Sequence, residues 1–327
     1  MSANNKSREE IKILSIGAAV QDVFLQGKIF TPKHEHNCDV EEFVLGSKND
    51  IEGVVFSTGG GATNAAVTFA RHGLHTMFMG KIGHDVAGKA VIDDLHKEGI
   101  DTGLVTYLKD IVTGYSCLLL APNGERTILT YRGASAHLDV KQADFQDTEA
   151  DWLLITSMAG NFKALETVFS YAESKNIKIA MIPGKDELKE PKIFSKFMPR
   201  LTILTANKEE LSMLYKGETL QELVKAANKD VHYVVCTDGP NGAVAADKWH
   251  IVTAGMYEDV PVIDRSGAGD AFASGFIAMI AAGESLERAV TFASANSTNV
   301  VGSIGAKAGI LAHDANVHDM PLDVREL

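Results

Sequence analysis

Short apolar runs rich in β-branched residues alternate with amphipathic stretches along most of this chain, and that alternation restricts the fold more than any other feature. Residues 11–16, 76–81, 152–156, 177–182, 201–205 and 233–237 read as buried strands. Residues 64–72, 87–98, 163–175, 208–215 and 220–228 carry helical spacing between them. Strand and helix in this order predict an α/β fold: a doubly wound, mostly parallel sheet with helices on both faces. There is no repeat, so residues 1–327 are expected to form a single domain. The apolar fraction of 45% is enough to fill its core.

Two regions depart from the alternation. Residues 22–57 contain the strand-like segments 38–45 and 51–57. Residues 103–132 contain 112–121 and 126–131, joined by Pro122-Asn123-Gly124-Glu125. Asn-Gly readily takes the positive-φ turn of a hairpin. These strands are expected to form a small β-sheet lid, inserted at about 22–57 and 103–132, that closes over a ligand. The pattern fits equally an edge extension of the main sheet or a contact between two copies of the chain.

The net charge is −12, from 43 acidic and 31 basic residues. Such a surface excludes a broad nucleic-acid footprint but not a local site for a small anion. Cys38, Cys117 and Cys236 are far apart and form no CxxC pair, so neither a zinc site nor a disulfide framework is expected. Residues 1–10 are polar, unlike a secretory signal, and no apolar run approaches the roughly 18–20 residues that span a membrane. A soluble, cytoplasmic protein is expected.

The segment Asp264-Arg265-Ser266-Gly267-Ala268-Gly269-Asp270 leads straight into an apolar run of good helix formers, residues 271–282. Glycine lets backbone amides converge on a point, and a helix N-terminus supplies unpaired N–H donors and partial positive charge. Together they suit phosphate, or charge developing on a migrating phosphoryl group. Asp270 at the mouth of this anion hole fits two roles: a first-turn acid of the helix, or a general base for an attacking hydroxyl.

This segment resembles the Asp-Thr-x-Gly-Ala-Gly-Asp signature of the ribokinase-like (PfkB) carbohydrate kinases. Other segments are similar to that family's motifs in the same order. Thr58-Gly59-Gly60-Gly61-Ala62-Thr63-Asn64 resembles its Gly-Gly motif, and Gly83-His84-Asp85-Val86-Ala87-Gly88 its Gly-x-Asp-x-x-Gly segment. Asn207-Lys208-Glu209-Glu210 resembles its Asn-x-x-Glu motif, and Thr237-Asp238-Gly239-Pro240-Asn241-Gly242 its nucleotide loop. The resemblance spans about residues 11–312.

It implies transfer of the ATP γ-phosphate to a sugar hydroxyl, with Asp270 as the base and Gly267, Ala268 and Gly269 holding the phosphoryl group. Asn207 and Glu210 would organise Mg²⁺ and the nucleotide phosphates, Glu210 through water; Asn-x-x-Glu is also close to a capping box. Thr237, Gly239 and Gly242 would line the ATP site, and Asn296 would border the adenine. Asp22, Gly60 and Asn64 would contact the acceptor; read alone, Asp22 is a turn residue and Asn64 a helix cap. Asp264 would lie beside a monovalent cation such as K⁺, shared with the loop 302–308.

The chain departs from the resemblance at four positions. Arg265 replaces the signature threonine, and its guanidinium is expected to repel or replace the cation and leave activity little dependent on K⁺. Val20, Gly61 and Ser157 stand where ribokinases carry Asn, Lys and an acid. A free pentose or hexose is the expected acceptor. The alternative is a nucleoside, with Phe24, Phe43 or Phe162 stacking on its base. A further alternative is a non-catalytic sugar or nucleotide sensor, and the lid strands could also pair two subunits as a homodimer. His34 and His36 are read as solvated, Arg126 and Arg132 as surface or anion-clamping residues, and Lys185 and Lys189 as exposed. The tail from His313 is given no function.

Overall fold

The computed structural model describes residues 6–35, 38–122, 124–145, 148–258 and 260–327. Its centre is a nine-stranded sheet. Strands His75–Met79, Lys12–Ile16, Trp152–Ile155, Lys178–Met181, Ile203–Asn207 and Tyr233–Thr237 run parallel, in that spatial order. Ala243–Ala246, His250–Ala254 and Leu322–Glu326 then continue the sheet antiparallel.

Period-2 alternation places successive side chains on opposite faces. Leu14 and Ile16 pack on one face with Leu165, Val168 and Phe169 of helix Phe162–Ser174. Ile11 and Ile13 pack on the other, with Phe272 and Phe276 of helix Ala268–Ala281. That helix is buried along nearly its whole length, because helix Leu286–Val301 covers its outer side. The fold is the expected mostly parallel α/β arrangement.

A separate four-stranded sheet has the order Arg126–Tyr131, Gly114–Leu120, Val20–Gln26, Gly53–Gly59. On one face Asp22 aligns with Ser57 and Ser116, and Phe24 with Val55 and Leu118. On the other, Val23 aligns with Phe56 and Cys117, and Cys117 with Leu129.

Several expectations are corrected. Val20–Gln26 is a strand that alternation did not reveal, because Gln21, Asp22 and Gln26 interrupt its apolar pattern. Asp22 therefore lies within a strand rather than in a turn. Of residues 38–45 only Cys38–Val40 is extended, paired with Lys33–Glu35 in an exposed two-stranded ribbon. The helix expected from residue 64 begins at Gly61, so Asn64 is in its first turn and does not cap it. The tail ends in strand Leu322–Glu326, an exposed sheet edge with no apolar period to betray it. Asn123 of the hairpin turn and His36 lie outside the described residues, and His34 pairs with Asp39 at 2.9 Å. No described helix is long and apolar enough to cross a membrane.

Candidate active site

The C-terminal ends of the parallel strands and the start of helix Ala268–Ala281 meet at one cleft. Gly267 occupies the N-cap in the left-handed region, at φ +78°. A Cβ there would lie 2.3 Å from the Ala306 Cβ, so only glycine brings the signature turn this close to the loop at 302–309. At Gly269 a Cβ would meet nothing within 4 Å, which leaves the cleft open above the helix amides.

Asp270 follows in the first turn, with its carboxyl recessed. Asn64 Nδ2 donates to Asp270 Oδ2 at 2.8 Å. Burial raises the Asp270 carboxyl above its ordinary pKa, and the Asn64 bond opposes that rise. Asn64 Oδ1 is buried with no hydrogen-bond partner, so an acceptor is left over beside the carboxylate. Gly61 fits the same spot, since a Cβ there would sit 3.4 Å from Asp270 Oδ1. Gly60, at φ +101°, has room for no side chain, because its Cβ would lie 2.4 Å from the Ala18 carbonyl.

Asp22 stands on the four-stranded sheet, within electrostatic reach of Asp264 and Asp270. Burial pushes its pKa up to about 6, a hydrogen bond from Ser116 and the charge of Lys307 pull it down, and Asp264 and Asp270 raise it further. The three carboxylates therefore act on one region, Asp264 and Asp270 from the signature segment and Asp22 from a strand distant in sequence.

Asn207 and Glu210 form a reciprocal capping box: Glu210 N–H donates to Asn207 Oδ1 and Asn207 N–H to Glu210 Oε2, both at 2.9 Å. Burial raises the Glu210 pKa, against the backbone bond from Asn207 and the nearby charge of Lys185. A cavity of about 160 Å³ joins Thr205, Asn207, Glu210, Thr237, Gly269 and Asp270. Thr205 Oγ1, buried without a partner, adds an unused polar atom in one of the lining residues. Gly242, at φ +89°, is forced by the Ala254 carbonyl, 2.2 Å from where its Cβ would be. Gly239 is open and also at positive φ, +52°.

Two residues singled out from the sequence are engaged elsewhere. Asn296 is fully buried: its Nδ2 donates to the Ala271 carbonyl and its Oδ1 accepts from the Leu311 amide, both at 2.8 Å. It braces the back of the signature helix. Asp264 is also fully buried, accepting from Ser266 N–H at 2.9 Å and Gly305 N–H at 3.0 Å. Arg265 turns away from it, placing Nε 3.4 Å from Glu125 of the hairpin.

Sequence spacing missed two buried groups. Glu187, 1% exposed, accepts from Ser157 Oγ and from the amides of Met158, Gly160 and Gly184, fixing the loops that follow two central strands. Lys307 is buried between the signature side and the Gly-Gly motif. A lone lysine among Gly305, Ala306, Ala308 and Gly309 was the only signal in the sequence for it. Of the cations set aside, Lys189 pairs with Asp186 at 2.8 Å, and Arg132 lies 3.8 Å from the same carboxylate.

The model of the pfkB family of carbohydrate kinases matches residues 33–312. This chain belongs to that family. The kinase is 28% identical over 262 residues to a ribokinase of Haemophilus influenzae, covering 77% of this chain and 83% of that one. It is 28% identical over 268 residues to a ribokinase of Bacillus subtilis, covering 80% and 87%. The Arabidopsis thaliana ribokinase structure complexed with ribose and ATP superposes with a TM-score of 0.74 at 20% identity, covering 93% of this kinase and 96% of that chain. At that identity the likeness concerns the fold.

Proposed function

We propose that this carbohydrate kinase transfers the ATP γ-phosphate to a hydroxyl of a free pentose or hexose, with Asp270 as the base. The observation that carries this is the Asp270 carboxyl at the N-terminus of a glycine-led helix, tethered by Asn64 and close enough to Asp22 for the two charges to act on one another.

The residues present fit a nucleotide and Mg²⁺. The cavity combines the Glu210 and Asp270 carboxylates, the unpartnered Thr205 hydroxyl and the start of the signature helix at Gly269, a set of groups suited to phosphate and hydrated magnesium. When bound, ATP supplies the phosphoryl group and Mg²⁺ offsets its charge. Glu210 would hold the metal through water, beside Asn207; Thr237, Gly239 and Gly242 would border the nucleotide. Asn296 would support this floor from behind.

The chain's own residues divide the remaining work. Asp22 and Asn64, with the backbone at Gly60, grip and orient the acceptor so that one hydroxyl faces Asp270. Asp270 takes the proton of that hydroxyl as it attacks, and the rise that burial gives its pKa makes it a better base. The amides of Gly267, Ala268 and Gly269 receive charge spreading over the migrating group. The four-stranded sheet, read as the lid of a single kinase domain, keeps water from competing as the acceptor.

A sugar is favoured over a nucleoside because the candidate stacking rings are engaged. Phe24 is fully buried against Val55, Leu118, Leu120 and Ile304. Phe43 packs edge-on to Phe30, and Phe162 stacks on Phe197. Substrate-dependent ADP formation across a panel of sugars and nucleosides tests this. Turnover with pentoses or hexoses supports it, and turnover confined to nucleosides overturns it.

A monovalent cation such as K⁺ would fit beside Asp264, a buried carboxylate with no ion-pair partner among the described residues. Because Arg265 faces Glu125, its guanidinium does not fill that role. The outer face of the lid exposes Val54, Phe56, Leu129 and Tyr131, an apolar surface suited to a homodimer, which sedimentation of wild type against Phe56→Glu would check. Three free cysteines are consistent with a reducing, cytoplasmic setting.

A further inference from the structure

Lys307 has no part in the phosphoryl transfer just described, yet the fold invests heavily in it. Only 6% of the residue is exposed. Its ammonium donates to Thr58 Oγ1 at 2.7 Å and lies 3.2 Å from Asp94 Oδ2, while Thr58 Oγ1 donates to the same Asp94 oxygen at 2.5 Å. Burying an ammonium is costly, and a single partly exposed carboxylate offsets only part of that cost. A lysine in such a place needs a reason beyond packing.

Its neighbours supply one. The loop carrying Lys307 is fastened to the catalytic side: Gly305 N–H is held by Asp264, and Ala306 packs on Gly267. Its ammonium reaches Thr58 of strand Gly53–Gly59, on the sheet face opposite Asp22. Thr58 aligns with Gln21 in the lid sheet and directly precedes Gly59, where a Cβ would lie 2.0 Å from Asp22 Oδ2. One side chain thus joins the loop behind the phosphoryl turn to the turn that packs against Asp22.

We propose that Lys307 is a positioning residue that fixes the Thr58–Gly60 turn against the signature loop and sets a positive charge behind Asp22 for acceptor binding. This rests on the reading of Asp22 as an acceptor-binding group. The charged groups acting on Asp22 are Lys307, which favours its ionised form, and Asp264 and Asp270, which oppose it; Ser116 adds a hydrogen bond. Asp94 and Glu98 in turn act on Lys307. Without the ammonium, only the Ser116 bond would remain to counter burial and two like charges. Asp22 would then take up a proton at higher pH and lose its hold on the acceptor hydroxyls.

The test compares Lys307→Met, Asp94→Asn and Asp22→Asn, with acceptor KM and kcat measured from pH 5.5 to 8.5. Lys307→Met is expected to raise acceptor KM about three- to ten-fold at pH 6, with kcat within about two-fold and the defect shrinking as pH rises. Asp94→Asn removes the carboxylate that holds the proton on Lys307 against burial, so it should move the acid limb of kcat/KM in the same direction as Lys307→Met and no further. A purely structural role for the pair predicts instead a pH-independent loss in both variants, and that result would overturn the proposal. An unshifted acid limb in Lys307→Met, with KM still raised in Asp22→Asn, sinks the role of Lys307 and spares that of Asp22. An unchanged KM in Asp22→Asn removes both. Should Lys307→Met fail to fold, Lys307→Met/Asp94→Leu replaces the buried pair by apolar groups, and the same acid limb decides.

Discussion

Replacing Asp22 by asparagine should weaken acceptor binding and yet make the protein harder to unfold. Burial, with Asp264 and Asp270 nearby, raises this carboxyl from 3.8 to about 6. At about 1.4 kcal/mol per tenfold change in proton affinity, that shift corresponds to about 3 kcal/mol of strain on the charged form. Residual solvent screening reduces the usable part to about 1–2 kcal/mol. The sign follows from linkage. The folded carboxyl binds its proton more tightly than the unfolded one, so its stabilising contribution is complete below about pH 3.8 and is lost as pH rises through about 6. A neutral asparagine carries no such loss. The gap in stability between Asp22→Asn and wild type should therefore open between pH 4 and pH 6.5 and stay level above. At about 2 cal/mol/K per residue of unfolding entropy, it should reach about 2–3 °C in Tm at pH 8. Differential scanning calorimetry across that range measures it. A variant less stable than wild type at pH 8, or a gap that does not depend on pH, would refute the account of Asp22 as a buried charge kept for binding.

Other changes probe the remaining parts of the site. Asn64→Ala removes the hydrogen bond that opposes the rise of the Asp270 pKa, so the acid limb of kcat should move to higher pH and kcat at neutral pH should fall about ten-fold. Gly267→Ala forces a side chain into the left-handed region and against Ala306; it should cost about 1–3 kcal/mol in denaturant unfolding and depress kcat more than acceptor KM. With Arg265 turned towards Glu125, replacing tetramethylammonium by K⁺ in the assay should raise activity several-fold, and no response would mean that Asp264 needs no cation.

What could be read from the sequence followed from how local each signal is. The six parallel strands were legible because strands buried on both faces are continuous apolar runs, and Ile13, Leu14 and Ile16 are all fully buried. The anion hole was legible because Gly267 and Gly269 sit immediately before an apolar helix. Strand Val20–Gln26 was hidden because Gln21, Asp22 and Gln26 break its apolar pattern. Strand Leu322–Glu326 was hidden because an edge strand needs little apolar content. Asn64 was placed by its motif, but its bond to Asp270 spans 206 residues and only folding reveals it. The meeting of Lys307 with Thr58 and Asp94 is likewise a product of tertiary structure; in the sequence it is one lysine in a glycine- and alanine-rich loop.

The central claim is that Asp270 is the base beneath the migrating phosphoryl group. Steady-state turnover of Asp270→Asn, with acceptor affinity measured in parallel by calorimetry, tests it most directly. A fall in kcat of about 10²–10⁴-fold is expected, with acceptor Kd changed by less than about three-fold. Turnover within ten-fold of wild type would contradict it.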